Sequence, residues 1–192
     1  MVKRSLLFLL VLALCSPCDA GMIIRGSDGA SCATQSTDQQ STSYDSSYEA
    51  YGSFTDGQSY IAGVSGPVHS IIIYAAGVAG GSSGQWKARI GESEDLSSVY
   101  LGETTPLDII YDDGSYEYQL IFPSATRPSQ TATNTYYIAI MNTASTYSNR
   151  GYINVATVGT YSNGQAWTGT TWNMTGGGNA GDLYFKIKVC NP

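Results

Sequence analysis

The sequence has few charged residues, one histidine and four cysteines, and these scarcities narrow its possible functions. Only 12% of the 192 residues are charged. Because His69 is the single histidine, any catalytic triad or histidine-based metal site would have to use it. It lies in the strand-like segment Val68-His69-Ser70-Ile71, where we expect a structural role. We therefore predict that the protein is not an enzyme.

Residues 1–20 have the pattern of a secretory signal peptide. The positive pair Lys3-Arg4 precedes a short apolar stretch, Leu6–Leu14, and a small residue stands before a cut at Gly21. About nine apolar residues are too few to span a bilayer, which needs roughly 20. An N-terminal anchor helix and lipidation at Cys15 remain as alternatives. The main interpretation predicts a secreted, extracellular or cell-surface protein.

Cationic residues are also scarce. Removal of the leader takes away Lys3, Arg4 and Asp19, which leaves 7 basic and 14 acidic residues and a net charge of −7. Such a surface repels phosphate backbones, so we expect no nucleic-acid partner. After the leader, no segment is long and apolar enough to predict a membrane span.

Two cysteines, Cys32 and Cys190, bracket nearly all of the chain after the leader. Cys15 and Cys18 would be lost with the leader, and the two that remain can pair in only one way. An oxidising compartment allows that disulfide to persist. The bridge would place the two ends of the chain side by side, and in the chain-entropy model it would stabilise the fold by about 5 kcal/mol.

Apolar and polar residues alternate along much of the sequence after residue 48. The alternation is clearest in 85–90, 116–122 and 183–189, which is typical of half-buried antiparallel strands. Two runs, 70–76 and 136–141, are apolar on both faces and fit central strands. Shorter strand candidates are 50–54, 58–64, 97–102 and 151–158.

Turn-forming clusters separate these runs, and no stretch has a convincing helical stripe. We therefore predict an all-β antiparallel sandwich with jelly-roll topology. The expected divisions are a signal peptide at 1–20, an irregular N-terminal segment at 21–47 and the sandwich domain at 48–192.

Several landmarks recur in the order of a known type of module. They are Phe54, Ile71-Ile72-Ile73, Gly84-Gln85-Trp86-Lys87-Ala88-Arg89-Ile90, Tyr118-Gln119-Leu120-Ile121-Phe122, Asn134 to Ile140, Asn163-Gly164-Gln165-Ala166-Trp167 and Asp182 to Ile187. Over roughly residues 50–190 the chain resembles a jelly-roll module of secreted and surface-attached bacterial and phage proteins, which is similar in architecture to carbohydrate-binding modules. The resemblance implies a jelly-roll fold and a glycan or another surface ligand as partner.

Sugar binding needs exposed aromatic rings for stacking, with amide or carboxylate groups nearby. Segment 147–173 is the richest in both, and Trp172 lies in a polar context typical of a loop or hairpin tip. The alternative is that its tryptophans pack on the core or hairpin, as we expect for Trp86. The candidate ligand-binding residues are Trp172, Trp167, Tyr161, Tyr152 and Asn173.

Two pairs of acidic residues are weaker candidates, one for catalysis and one for calcium binding. Glu92 and Glu94 would share one strand face, as in a glycosidase, but they lie at a strand end where a solvated surface is expected. Asp112-Asp113-Gly114 predicts a β-turn first and a structural calcium ligand only second. We expect no cofactor and no metal site, with structural calcium as the open alternative.

Two functions follow from these observations. The leading hypothesis is a secreted, non-catalytic domain that binds glycans or another surface ligand. The alternative is a structural or adhesive extracellular protein that acts through protein–protein contacts, for which the many Tyr, Ser and Gly residues are equally suited.

Overall fold

A computed structural model describes residues 23–25, 32–52, 54–76, 84–109, 114–143, 151–170, 172–173 and 181–191. The predicted leader and the acidic turn Asp112-Asp113-Gly114 are therefore not described, apart from Gly114. Within the described residues, regular structure is strand except for one 3-10 turn at Ser124–Thr126.

The strands, in chain order, are β1 (Ile23–Arg25), β2 (Gln35–Ser41), β3 (Ser46–Ala50), β4 (Phe54–Ile61), β5 (Gly66–Ala76), β6 (Gly84–Gly91), β7 (Gly102–Glu103), β8 (Leu107–Ile109), β9 (Ser115–Ile121), β10 (Ser129–Gln130), β11 (Thr135–Asn142), β12 (Gly151–Ala156), β13 (Ala166–Thr170), β14 (Asp182–Leu183) and β15 (Phe185–Cys190).

These strands form two sheets. The larger sheet is centred on β5, which pairs with β9 on one side and with both β15 and β12 on the other. Beyond these, β1 pairs in parallel with β9, β2 pairs with β15, and β3 pairs with β12. The smaller sheet has the order β13-β4-β11-β6, with β7 and β8 both paired to β6. Apart from β1 with β9, these pairs of strands run antiparallel, so the predicted antiparallel sandwich is confirmed.

The core lies between the sheets and follows from the period-two alternation of side chains along a strand. Ile71 and Ile73 of β5 face Ile138 and Ile140 of β11, and Trp86 of β6 is completely buried among them. The two runs that are apolar on both faces are the centres of the two sheets, as predicted, because each has a neighbouring strand on both sides.

The chain passes repeatedly from one sheet to the other. Strand β4 lies in the smaller sheet, β5 in the larger, β6 in the smaller and β9 in the larger, and the same alternation continues through β11, β12, β13 and β15. This alternation agrees with the jelly-roll wrapping predicted from the sequence. It also brings strands distant in sequence onto one face.

The predicted bridge between Cys32 and Cys190 is present, with the two Cα atoms 5.4 Å apart. The N-terminal region next to Cys32 is more regular than expected. Segment 21–47 was predicted to be irregular, yet Gln35–Ser41 forms a strand that pairs with β15 along its length. The polar composition hid this strand because its outer side is exposed at the sheet edge and only Ser41 is fully buried.

Three other strand predictions from the sequence differ from the structure. Candidates 50–54 and 58–64 overlap the ends of a single strand, Phe54–Ile61, because Gly57 continues the ladder. Segment 97–102 is a loop up to Leu101. Residues Ala166–Thr170, which lie in the aromatic segment chosen for ligand binding, form a strand at the edge of the smaller sheet.

Candidate functional site

The outer face of the larger sheet carries an unusual combination of aromatic and charged side chains. Alternation places Ile73, Tyr118 and Phe185 in the core, so their strand neighbours point away from it. These neighbours, together with Lys188 of β15 and Tyr44 from the link between β2 and β3, form the set that we name the tyrosine–lysine face: Tyr44, Tyr74, Tyr184, Glu117, Gln119, Lys186 and Lys188.

Strand register brings the charged members together. Lys186 of β15 pairs with Ile72 of β5, and Ile72 pairs with Gln119 of β9, so the three side chains form one row across the sheet. Glu117 lies one row away, opposite Tyr74. The site therefore depends on β5, β9 and β15, three strands that are neighbours in the sheet but far apart in the sequence.

Three tyrosine rings form the aromatic part of the face. The ring centroids of Tyr44 and Tyr74 are 5.0 Å apart, as are those of Tyr74 and Tyr184, and Tyr44 meets Tyr184 edge-on at 6.3 Å. These separations lie in the favourable range for aromatic pairs. Tyr44 is 53% exposed whereas Tyr184 is 8% exposed, so the cluster has a fixed inner ring and an open outer one.

Glu117 joins the aromatic and cationic parts. Its Oε1 accepts hydrogen bonds from the Tyr184 hydroxyl and from the ammonium group of Lys186. Burial alone would raise the pKa of Glu117, but these two donors outweigh it and hold the pKa below its usual value. Burial, together with the bond to Glu117, raises the pKa of the Tyr184 hydroxyl. At neutral pH Glu117 is charged and Tyr184 is a neutral donor.

A cavity of about 340 Å³ opens beside Glu117 and Lys186. Its lining combines residues of the tyrosine–lysine face with the segment around the disulfide: Cys32, Ala33, Thr34, Gln35, Ile72, Glu117, Gln119, Lys186 and Lys188. This volume lies in the range of small-ligand pockets, roughly 300–1,000 Å³. Amide, ammonium and carboxylate groups therefore surround a space large enough for about one sugar ring.

The amides that line the cavity are held in place by neighbours. Gln119 Nε2 donates to the Ser70 hydroxyl at 2.8 Å. Gln35 Nε2 lies 3.2 Å from Nε2 of His69, which is buried on β5. Lys188 Nζ donates to the Thr37 hydroxyl at 2.6 Å. The polar lining is thus tied to β2 and β5.

The residues chosen from the sequence lie in three places. Trp167 and Trp172 lie on the outer side of the smaller sheet with Ala139 and Met141, and Asn173 is exposed next to Trp172 in the chain. Tyr161 lies against the core, where its ring meets Phe185 edge-on at 5.2 Å. Tyr152 of β12 is the one that shares the outer side of the larger sheet, because its neighbour Ile153 points into the core.

Trp172 does not present an open ring. It is 7% exposed and packs with Leu96, Ala139 and Met141 beneath the loop that follows β6. Its backbone has a left-handed φ of 67°, so the expected turn is present. The ring follows the packing alternative considered from the sequence, because a loop about 75 residues earlier in the chain covers it.

Tyr161 is anchored by polar contacts as well as by packing. Its backbone N–H donates to Asp182 Oδ2 at 2.7 Å, and its hydroxyl donates to Gln39 Oε1 at 2.9 Å. Asn173 is exposed, and its backbone forms a two-way bridge with Thr170. Ligand binding at the five sequence-chosen residues stays a prediction, and the structure does not bring them into one site.

Of the acidic residues considered for catalysis, Glu92 lines a second cavity of about 170 Å³, whose described lining does not include Glu94. Glu92 and Glu94 follow the end of β6 in a loop. Within the described ranges, no group of three or more His, Cys, Asp or Glu side chains is arranged to hold a metal ion. No helix among the same residues has the length and hydropathy that a membrane span needs.

Compared with known proteins, the chain matches no family model and no curated sequence.

The tyrosine–lysine face was not selected as a candidate site from the sequence. The alternation in 183–189 does mark Tyr184, Lys186 and Lys188 as one outward face, but nothing local shows that Glu117 and Tyr74 lie beside them.

Proposed function

We propose that this protein is a secreted, non-catalytic β-sandwich domain that binds glycans on the tyrosine–lysine face. The observation that supports the proposal is the row of tyrosine rings that Glu117, a hydrogen-bond partner of Tyr184, joins to a cavity lined by amide and charged groups. Sugar rings stack on aromatic faces while their hydroxyl groups exchange hydrogen bonds with amides, ammonium groups and carboxylates. Export is part of the proposal and is supported by the leader pattern and by the disulfide.

Each part of the face has a defined role in this proposal. Tyr44, as the most exposed ring of the trio, provides the stacking platform. Glu117 accepts from sugar hydroxyl groups through the carboxylate oxygen that is not shared by Tyr184 and Lys186. Gln119 and Gln35, which line the cavity, recognise further sugar hydroxyl groups.

A glycan array probed with the purified protein tests the proposal. Wild-type protein should bind at least one defined glycan, and Tyr44→Ala should lose that binding with little change in stability. Tyr100→Ala is the matched control, since Tyr100 is also an exposed tyrosine but belongs to the other side of the sandwich. Loss of binding in Tyr100→Ala with full binding in Tyr44→Ala would place the site elsewhere.

The alternative, an adhesive or structural protein, is favoured by one specific feature. Val99, Tyr100 and Leu101 are consecutive and are 75%, 40% and 43% exposed, beside a second cavity of about 170 Å³. Contiguous exposed apolar side chains are typical of protein-contact surfaces. Sedimentation of wild type and of a Val99→Ser, Leu101→Ser variant would reveal self-association through this loop. A wild-type protein that stays monomeric at high concentration, while it binds a glycan, would dismiss the alternative.

A further inference from the structure

The second cavity, on the smaller sheet, lies where the loop after β6 returns to the end of that strand. Its described lining consists of residues 91–93 and 99–101, and its volume is about 170 Å³. The Leu101 N–H donates to the Ile90 carbonyl at 2.8 Å, which holds the two parts of the lining together. Because small-ligand pockets span roughly 300–1,000 Å³, this cavity fits a single side chain better than a whole ligand.

The part of the lining from 99 to 101 is apolar and open to water. Val99, Tyr100 and Leu101 are 75%, 40% and 43% exposed. The ring of Tyr100 is held on one side by Arg89, whose Cζ lies 4.2 Å from the ring centroid. Contiguous exposed apolar side chains mark a contact surface, since a partner that covers them removes apolar area from water.

The other part of the lining carries a carboxylate group, that of Glu92, which is exposed. The two cations of β6, Lys87 and Arg89, both bind Glu103, with N–O distances of 3.2 and 2.7 Å. Residues 92–101 contain three acidic residues and no lysine or arginine. The cavity therefore joins apolar contact area to negative charge.

A lysine side chain has the complementary pair of properties. Its four-carbon stem is apolar and ends in a compact ammonium charge. A purely apolar side chain would cover the Glu92 carboxylate without offering it a partner, which is unfavourable. We propose that the cavity receives a lysine side chain of a partner protein. The stem packs against Val99 and Leu101, and the ammonium group pairs with Glu92.

A second copy of this chain fits the loop less well than a basic partner does. The formal net charge of the chain is −6 and the loop itself is acidic, so two copies repel each other. The same charges attract a partner whose lysine lies in a basic surface. The proposal does not depend on glycan binding, because the tyrosine–lysine face belongs to the other sheet.

NMR titration of the isotope-labelled protein with matched peptides tests the proposal. The probe is the capped peptide Gly-Leu-Lys-Leu-Gly, whose leucines cover the apolar side chains beside the cavity. Its matched form carries Nε-acetyllysine, which keeps the stem and loses the charge. We expect the lysine peptide to shift the backbone amide signals of Gly91, Val99 and Leu101, and the acetylated peptide to bind about fivefold more weakly.

Variants connect the preference to the cavity. Glu92→Gln should abolish the difference between the two peptides. Glu94→Gln is the matched control, because Glu94 lies in the same loop but outside the described lining. Val99→Ser should weaken binding of both peptides, since the stem and the leucines lose apolar contact. Circular dichroism confirms that the variants fold.

Each outcome of the titration bears on a separate part of the proposal. A preference for the lysine peptide that Glu92→Gln removes and Glu94→Gln keeps supports it. Equal affinity of the two peptides would overturn recognition of an ammonium group. No shift at Gly91, Val99 and Leu101 up to about 10 mM peptide would overturn the docking site. Shifts of the same signals when the protein alone is concentrated would make a second copy the occupant and overturn a different partner.

Discussion

The guanidinium group of Arg89 lies between the rings of Tyr100 and Trp172, with Cζ 4.2 Å from one ring centroid and 4.4 Å from the other. Its Nη1 also donates to the Leu96 carbonyl at 2.8 Å, and its Nε donates to Glu103 at 2.7 Å. Cations on aromatic faces contribute about 0.5–2 kcal/mol each. Arg89 therefore fastens the loop after β6 over Trp172, and the tryptophan serves the fold.

Trp172→Ala should destabilise the protein by about 3 kcal/mol, because it removes a buried aromatic ring and the second face of the Arg89 contact. Urea unfolding measures the change. Glycan binding at the tyrosine–lysine face should persist at temperatures where the variant is folded.

Trp172→Phe is the matched control, since it keeps an aromatic ring in the same place and should lose less stability. A Trp172→Ala protein of unchanged stability that no longer binds glycan would contradict the packing role. That result would support Trp172 as a ligand-binding residue.

Removal of the disulfide should lower the melting temperature markedly. The bridge closes a loop of 158 residues, and in the chain-entropy model this is worth about 5 kcal/mol. Thermal unfolding of the Cys32→Ser, Cys190→Ser double variant provides the measurement. The wild type under reducing conditions should approach the variant, whereas the variant itself should not respond to the reductant. A wild-type melting curve unchanged by reduction would rule out the bridge in solution.

Local patterns predicted most of the long strands of the sandwich, because alternation and turn residues act within a few neighbours. The apolar runs around Ile72 and Ala139 could be recognised as central strands from their own sequence. The polar strand Gln35–Ser41 could not, since its pairing is with β15, about 150 residues later. Its formation is decided by tertiary contact and the nearby disulfide.

The candidate site could be predicted only in part, because it also depends on pairing between strands that are far apart in the sequence. Outward orientation of Tyr184 and Lys186 follows from alternation with Phe185 and Ile187, both of which are buried. Their contact with Glu117 depends on the order β9-β5-β15, which no local pattern specifies. The burial of the Trp172 ring could not be read from its polar surroundings for a related reason, because local sequence identifies a turn and distant sequence decides what covers it.

A buried glutamine joins the N-terminal strand to the core, and its loss should be costly. Gln130 accepts from the Tyr60 hydroxyl at 2.9 Å and donates to Asp38 Oδ2 at 2.6 Å and to the Val64 carbonyl at 2.8 Å. Gln130→Leu, which has a similar volume, should reduce the free energy of unfolding by about 2–3 kcal/mol because buried partners lose their hydrogen bonds. Gln40→Leu, on the exposed side of β2, is the control and should change it little. Equal urea midpoints for the two variants would contradict this role.

The last prediction concerns Asp56, which has a buried carboxyl group and lies on strand β4 of the smaller sheet. Asp56 is 3% exposed, and its Oδ2 has no hydrogen-bond donor among the described residues. Burial raises the pKa of Asp56 to about 8, because a charged carboxylate would lose its hydration. In the unfolded chain the pKa is about 3.9. Between these two pKa values the folded protein keeps a proton that the unfolded chain releases, so the free energy of unfolding should fall as pH rises from about 4 to about 8.

Asp56→Asn removes this titration, so the variant should be more stable than wild type at pH 7 by on the order of 3 kcal/mol, and its advantage should shrink towards pH 4. Urea unfolding at pH 4, 5, 6, 7 and 8 measures the difference between the two curves, in which contributions from other groups such as Glu117 cancel. Asp108→Asn is the control, since Asp108 is exposed on β8 and its replacement should leave the curve parallel to that of wild type. If the Asp56→Asn curve were also parallel to wild type, the buried carboxyl group would have to ionise in the folded protein at its ordinary pKa, and Asp56 would need a solvent contact or a donor from outside the described residues.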